Sequence, residues 1–437
     1  MITRALLLVV AAAGLALAAS APAFAAQPYP LNFKTFDLGS PDSSSGTTYS
    51  GGTLTLQNTS LPALDPPYDD PFKNYSNDGV DGSGEYVYGT WTSGLTNLPW
   101  GFNELVSSWN ATTPAGSWIQ VEVQPTIQGK GVAKWYILGR WSSSDSTFHR
   151  TSKGGQGNAD GFVSIDTWFA KDHLATAYRL KVTLYRRPGG DSPSLTRLSA
   201  IAMNLTNQKN AFPSRTSFNG TELDLHVHKY SQEIHHGDFP QYDNGGEAWC
   251  SPTSTSMVVS YWSEQPGQPD YNPQPSEYSW VTAELGASHN DPVVDYTARA
   301  VYDYHYNGAG NWPFNVAYAA SRGLMGEVTA LHNLSEAEPF IRLHIPLVAS
   351  VAWNSNKLDT AIKSTNGHLM VIGGFTATGD VIAYDPASTE DAAVRHIYPR
   401  EQFERAWIPA SGGIVYVIRP VGYQTAAVEA QLTANNE

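Results

Sequence analysis

Apolar and polar residues alternate with a period of two through much of the first half of the chain. Thr53-Leu54-Thr55-Leu56 and Trp118-Ile119-Gln120-Val121-Glu122-Val123 show it. The clearest case sets Tyr178, Leu180, Val182 and Leu184 on one face against Arg179, Lys181 and Thr183 on the other. Such alternation marks strands with one buried face. Gly, Pro, Ser, Asn and Asp fill the gaps, and long helical periodicity is absent from Leu31 to Met203. The pattern predicts an all-β sandwich over residues 26–203. The Ser-rich run Ser40 to Ser50 predicts a flexible loop.

Residues 204–221 are polar and carry Pro213 and Gly220, the composition of a linker that few contacts cross. Mixed patterning follows. Cys250-Ser251-Pro252 predicts a helix to about Trp262, with Pro252 at the first helical position. Asp291-Pro292 opens another, whose Val294, Ala298, Val301 and Tyr304 share a face. Pro313 to Ser321, closed by Gly323, predicts a third. Ser335 and Glu338 have capping-box spacing for a fourth. Pro346 to Trp353, Leu369 to Ile372, Val381 to Tyr384 and Gly413 to Ile418 read as strands. Residues 222–420 are therefore expected to form an α+β domain, with 421–437 as a tail.

The N-terminus bears on compartment. Arg4, the uncharged run Ala5 to Leu17 and Ala23-Phe24-Ala25 have the form of a secretory signal over residues 1–25. The run is shorter than the roughly 20 residues of a membrane span. A secreted, extracellular protein without a membrane span is expected after cleavage. Losing Arg4 changes the net charge from −14 to −14 − 1 = −15, which argues against nucleic acid or an anionic membrane as partner. A lone cysteine, Cys250, forbids an internal disulfide. Such a thiol is either inert or reactive by design.

The residues around it favour reactivity. In Gly245-Gly246-Glu247-Ala248-Trp249-Cys250-Ser251-Pro252 the cysteine sits at a helix start, where unpaired N–H groups and the dipole favour an anion. Ser251 is expected to cap, and the two glycines permit close approach of a neighbouring chain. Of twelve histidines, His368 stands at the entrance to an apolar strand, in Asn366-Gly367-His368-Leu369-Met370-Val371-Ile372, and Asp385-Pro386 closes the next one. A hairpin turn centred between Thr376 and Ala377 sets Asp385 opposite His368. One centred between Thr378 and Gly379 offsets them by four residues, and both registers remain open. In the first, Asp385 orients an imidazole that serves as general base to Cys250.

Cys250 at a helix start, Gly367-His368-x-x-Val371-Ile372 and Asp385-Pro386 together resemble the free-standing relatives of the bacteriocin-processing, double-glycine cysteine peptidases, cysteine peptidase family thirty-nine of the papain-like superfamily. The resemblance covers roughly Leu223 to Pro420. It implies a papain-like catalytic domain, a Cys-His-Asp triad, and an upstream glutamine that helps form the oxyanion hole. Gln232 is preferred because a short strand precedes it, and Gln241 is the alternative because it lies nearer Cys250. The family's cysteine-glycine-proline is Cys250-Ser251-Pro252 here. No transporter segment or ATP-binding motif follows, and double-glycine specificity is not carried over.

His226-x-His228 and His235-His236 lack a completing cysteine or carboxylate pattern and read as solvated histidines, while His289 has no special context. No cofactor and no metal is expected. Tyr86, Tyr88, Trp91, Trp100, Trp109, Trp118, Trp135, Trp141 and Trp168 crowd the first domain, as core residues or as platforms for sugar rings. The expected activity is peptide-bond hydrolysis on a peptide or protein substrate, with a cell-wall or carbohydrate surface as a further partner of the first domain. The alternatives are a papain-like amidase or transferase acting on cell-wall peptides and a non-catalytic surface-binding protein.

Overall fold

The computed structural model of the protein describes residues 29–57, 86–206, 208, 210–354, 358 and 362–436. The expected signal segment, 1–25, lies outside them. The N-terminal half is strand-rich. One antiparallel sheet contains β1 (Leu31–Thr35), β3 (Thr47–Ser50), β4 (Thr53–Leu56), β7 (Glu104–Thr112), β11 (Gly161–Ser164), β12 (Thr167–Ala170) and β14 (Ser194–Met203). The other contains β2 (Ser43–Ser45), β5 (Val87–Thr92), β6 (Thr96–Phe102), β8 (Ser117–Ile127), β9 (Gly131–Val132), β10 (Tyr136–Trp141) and β13 (Ala175–Arg186). Their apolar faces meet through rings such as Phe102 and Tyr178 of the second sheet and Trp168 of the first. The Ser-rich run is not a free loop: Ser43–Ser45 pairs with β5 and Thr47–Ser50 with β4. Backbone pairing there overrides a composition that favours solvent.

The C-terminal half combines a third sheet with helices. Its strands are β15 (Leu223–Asp224), β16 (Leu324–Ala330), β17 (Leu347–Trp353), β18 (Thr365–Phe375), β19 (Val381–Tyr384), β20 (Arg395–Tyr398) and β21 (Ile414–Pro420), in the order β16-β21-β17-β18-β19-β20 with β15 on β18. The helices are α1 (Cys250–Ser263), α2 (Ser279–Leu285), α3 (Pro292–Val301), α4 (Trp312–Ser321), α5 (Leu334–Arg342), α6 (Arg400–Ser411) and α7 (Thr425–Thr433). Helix α1 is buried from Ser251 to Trp262, as a helix enclosed on all sides must be. Its Ser254 hydroxyl donates to the carbonyl of Leu369 at 3.1 Å, which fixes the start of α1 against the strand that carries His368.

Three local expectations are corrected. Helix α1 begins at Cys250, two residues before Pro252, with Trp249 as its N-cap and a first bond from Thr253 N–H to the Trp249 carbonyl at 3.0 Å. Ser251 does not cap; its hydroxyl is buried against that of Tyr416 at 2.9 Å. The capping box of α5 does not form either. Asn333 caps, accepting from Ser335 N–H, and Glu338 is drawn into an ion pair with Arg400. The supposed tail, 421–437, contains α7, and Asn436 bonds both ways to the backbone of Phe33.

Residues 204–221 do not separate two independent cores. Helix α4 is wedged between the halves, with Phe314 against Trp109 and Trp141. Asn110 donates to the Gly326 carbonyl at 2.6 Å, Ser108 Oγ accepts from Val328 N–H at 3.0 Å, and Arg197 pairs with the fully buried Glu327. Glu327 also holds Arg419 at 2.5 Å. Polar groups this deep cost free energy unless partnered, and for Asn110, Ser108 and, in part, Glu327 the partners come from the other half.

Candidate active site

Cys250 stands half-buried at the first turn of α1, on the wall of a cleft of about 500 Å³. The segment before it is pressed onto residues 232–235. A Cβ on Gly246 would lie 2.1 Å from the Gln232 carbonyl oxygen and 2.6 Å from the His235 carbonyl carbon, so only glycine allows this approach. The glycines flagged in the sequence thus have a definite physical task.

His368 lies on β18 beside Val351 of β17. The β18–β19 hairpin takes neither register expected. Phe375 pairs with Val381 and Gly374 with Ile382, and a bulge at Gly373 then sets Ile372 opposite Ala383 and Val371 opposite Tyr384. A Cβ on Gly373 would strike the Tyr384 ring at 2.4 Å, which is why a glycine takes the bulge. Continued by one residue, this register puts Asp385 opposite Met370. His368 is then a diagonal neighbour on the same face, and its Nε2–H donates to Asp385 Oδ1 at 2.8 Å.

Both groups are buried. Burial would lower the His368 pKa, but Asp385 and then the neighbouring Cys250 push it up to about 10. Burial likewise opposes ionisation of Asp385. The charge and hydrogen bond of His368, the Ala387 N–H at 3.0 Å and the Tyr398 hydroxyl at 2.9 Å outweigh that and hold the carboxyl below its ordinary range. The edge of the Trp353 ring faces His368 with ring centres 6.0 Å apart.

Gln232 lines the same cleft as Cys250 and His368, whereas Gln241 is exposed and does not. The Gln232 side chain donates to the Glu247 carbonyl at 2.9 Å and more weakly to Glu233 Oε1 at 3.2 Å, and its own oxygen is buried without a partner. The structure therefore brings together Cys250, His368, Asp385 and Gln232, and leaves Gln241 on the loop between them.

The opposite wall was invisible to the sequence. Ser164, Ile165, Asp166, Thr167 and Phe169 of the β11–β12 hairpin reach into the cleft from the N-terminal half. Asp166 accepts the N–H of Trp312 at the start of α4, at 2.7 Å, and so clips that hairpin to the C-terminal half. Burial raises its pKa to about 7 despite that bond. Ile165 has φ of 57°, a strained conformation for a β-branched residue. Among the aromatic residues of the first domain, Trp91, Trp109, Trp118, Trp141 and Trp168 are fully buried core residues, and Tyr88 is exposed.

Residues 35–203 match the Peptidase C39 N-terminal domain, and residues 225–415 match the Peptidase C39-like family. Among solved structures, a Bacillus anthracis chain described as a C39-like peptidase is similar to this one at 14% identity, over 46% of this chain and 98% of that one, with a TM-score of 0.25. A score that low carries no weight for the fold. No curated protein matches the chain.

Proposed function

Because residues 35–203 match the Peptidase C39 N-terminal domain and residues 225–415 the C39-like family, we propose that this chain is a secreted cysteine peptidase with a papain-like catalytic half. The observation that carries the reading is the run from Asp385 through His368 to Cys250, with Gln232 on the same cleft. Cys250 Sγ attacks the scissile carbonyl carbon, and His368 gives its proton to the departing amine. An acyl-enzyme remains. Water then attacks the thioester carbon, His368 takes the water's proton, and the acid leaves as Cys250 is regenerated. Asp385 holds the ring and offsets its charge. The Cys250 N–H and the Gln232 amide face the developing oxyanion, for which Gln232 exchanges its long bond to Glu233.

Export is supported by the Arg4, Ala5–Leu17 and Ala23-Phe24-Ala25 pattern. No described helix is long and apolar enough to cross a membrane. The cleft itself suggests a preference. Its ionisable lining, apart from Cys250, His368 and Tyr306, is acidic: Asp166, Asp243 and Glu247. A peptide with Lys or Arg near the scissile bond suits it best.

The test is mass spectrometry of products after the chain from Ala26 onward is incubated with a peptide library and with cell-wall peptides. Cleavage between residues of ordinary peptides, enriched beside Lys or Arg and lost in Cys250→Ser, is expected. Products from wall peptides alone would favour the amidase reading. Undiminished cleavage by Cys250→Ser would remove the thiol from the mechanism.

A further inference from the structure

Four side chains that do not line the catalytic cleft converge behind Gln232. They are His235 and Asp238, from the turn that follows Gln232, His289, just before α3, and Asp295, in the first turn of α3. One ligand atom from each lies within 4.8 Å of all the others. His235 Nδ1 is 3.1 Å from Asp295 Oδ2 and 3.5 Å from Asp238 Oδ2, and His289 Nε2 is 2.9 Å and 3.5 Å from the same two oxygens. We propose that these residues form a structural site for a zinc-class divalent cation that fixes the Gln232 turn to α3.

Burial and missing hydrogen bonds make this more than a cluster of polar residues. His235 and Asp295 are fully buried. Both ring nitrogens of His235, Oδ2 of Asp238 and Oδ1 of Asp295 have no hydrogen-bond partner. The carboxylates approach His235 Nδ1 without the alignment a hydrogen bond needs. Buried groups left this way are costly, and a cation at the centre of the cluster would satisfy the two of them that face it, His235 Nδ1 and Asp238 Oδ2. Ligands about 2.0–2.1 Å from a tetrahedral zinc ion lie about 3.3–3.4 Å apart. The four histidine–aspartate separations, 2.9–3.5 Å, bracket that value. Two imidazoles and two carboxylates suit zinc, whereas calcium and magnesium call for an all-oxygen shell of six or more ligands. Four protein ligands leave no open position, the mark of a structural site.

The sequence pointed away from this site because His235 was paired there with its neighbours. His226 and His236 are exposed and His228 half-buried, and they lie beside Asp224, Glu247 and Glu264 respectively. His235 turns inward, and two of its three partners, His289 and Asp295, come from more than fifty residues downstream. The site adjoins the catalytic residues through the backbone. His235 ends the turn that Gln232 opens, Gly246 packs on its carbonyl, and its ring centre is 6.2 Å from that of Trp249, the neighbour of Cys250.

Zinc also binds thiolate–imidazole pairs, so the test uses the Cys250→Ala background. The chain from Ala26 onward is stripped with chelator, given zinc chloride and desalted. Metal content and the thermal midpoint are then read. One equivalent of retained zinc and a rise of roughly 5 °C are expected, and cobalt in its place should give the strong visible bands of a tetrahedral site. His289→Gln and the more accessible Asp238→Asn, each checked for a native circular dichroism spectrum, should lose the retained metal and the shift. Retention by both folded variants at the level of the parent would overturn the site. So would failure of the parent to retain zinc, which would identify a buried ion cluster with a protonated His235. Neither result depends on whether the protein cleaves peptides.

Discussion

The backbone N–H of Gln232 donates to the carbonyl of Pro386 at 2.8 Å, which ties the proposed oxyanion donor to the residue following Asp385. Ser231 strengthens the junction by donating its N–H to Asp391 at 2.7 Å and its hydroxyl to the Ser388 carbonyl. The groups that would orient the base and receive the negative charge therefore share one loop assembly. A disturbance in this loop should affect both.

Gln232→Ala should lower kcat by about 10²–10³ with little change in KM, because the contact strengthens as charge develops. Gln241→Ala, on the exposed loop, should stay within about twofold of the parent. Saturating kinetics of the two variants decide between them. A large loss for Gln241→Ala alone would transfer the role to that residue.

The raised pKa of His368 sets the alkaline limit. The ring is protonated in folded and unfolded chains below about 6.5, so its full contribution to stability is present there and is lost as pH rises through the folded value of about 10. Acylation needs the imidazolium as acid, so kcat/KM should hold through neutral pH and fall near 10. In Asp385→Asn the principal raising charge is gone, and the limb should move down by about one to three units. An unmoved limb in that variant would mean that Asp385 does not govern the ring.

Gly246→Ala should be far more damaging than an ordinary surface substitution. Its methyl group would have to displace the backbone at Gln232 and His235, which moves the oxyanion donor away from Cys250. Activity should fall at least tenfold while Cys250 still reacts with iodoacetamide. Parent-like turnover in Gly246→Ala would show that the turn has freedom the packing does not suggest.

The two halves should unfold together. Arg197→Ala removes a partner of the buried Glu327 across the interface and should cost on the order of 3 kcal/mol, read from denaturant unfolding as one transition. A chain starting at Ser217 should be insoluble or lack fixed tertiary structure, because α4 would expose Phe314 where Trp109 and Trp141 now cover it. Two separate melting transitions, or a soluble and active truncated chain, would refute this.

Much of the local structure follows from sequence because its causes are local. Alternation from Tyr178 to Leu184 specifies a strand wherever that strand packs, and β19 occupies the residues its apolar run predicts, Val381–Tyr384. The motif around Cys250 and the entrance position of His368 are likewise readable from neighbouring residues. Relationships between distant elements are not. The β18–β19 register turned on a bulge at Gly373, set by the ring of Tyr384, and hairpin sequence alone carries no such constraint. Asn333 displaced Ser335 as the cap of α5 because Glu338 had a stronger use in pairing with buried Arg400. The wall contributed by Asp166, the choice of Gln232 over Gln241 in the cleft, and the meeting of His235 with Asp295 each join residues remote in the chain. Their proximity comes from burying apolar surface between the halves and closing loops over it, a property of the whole chain that no local window contains.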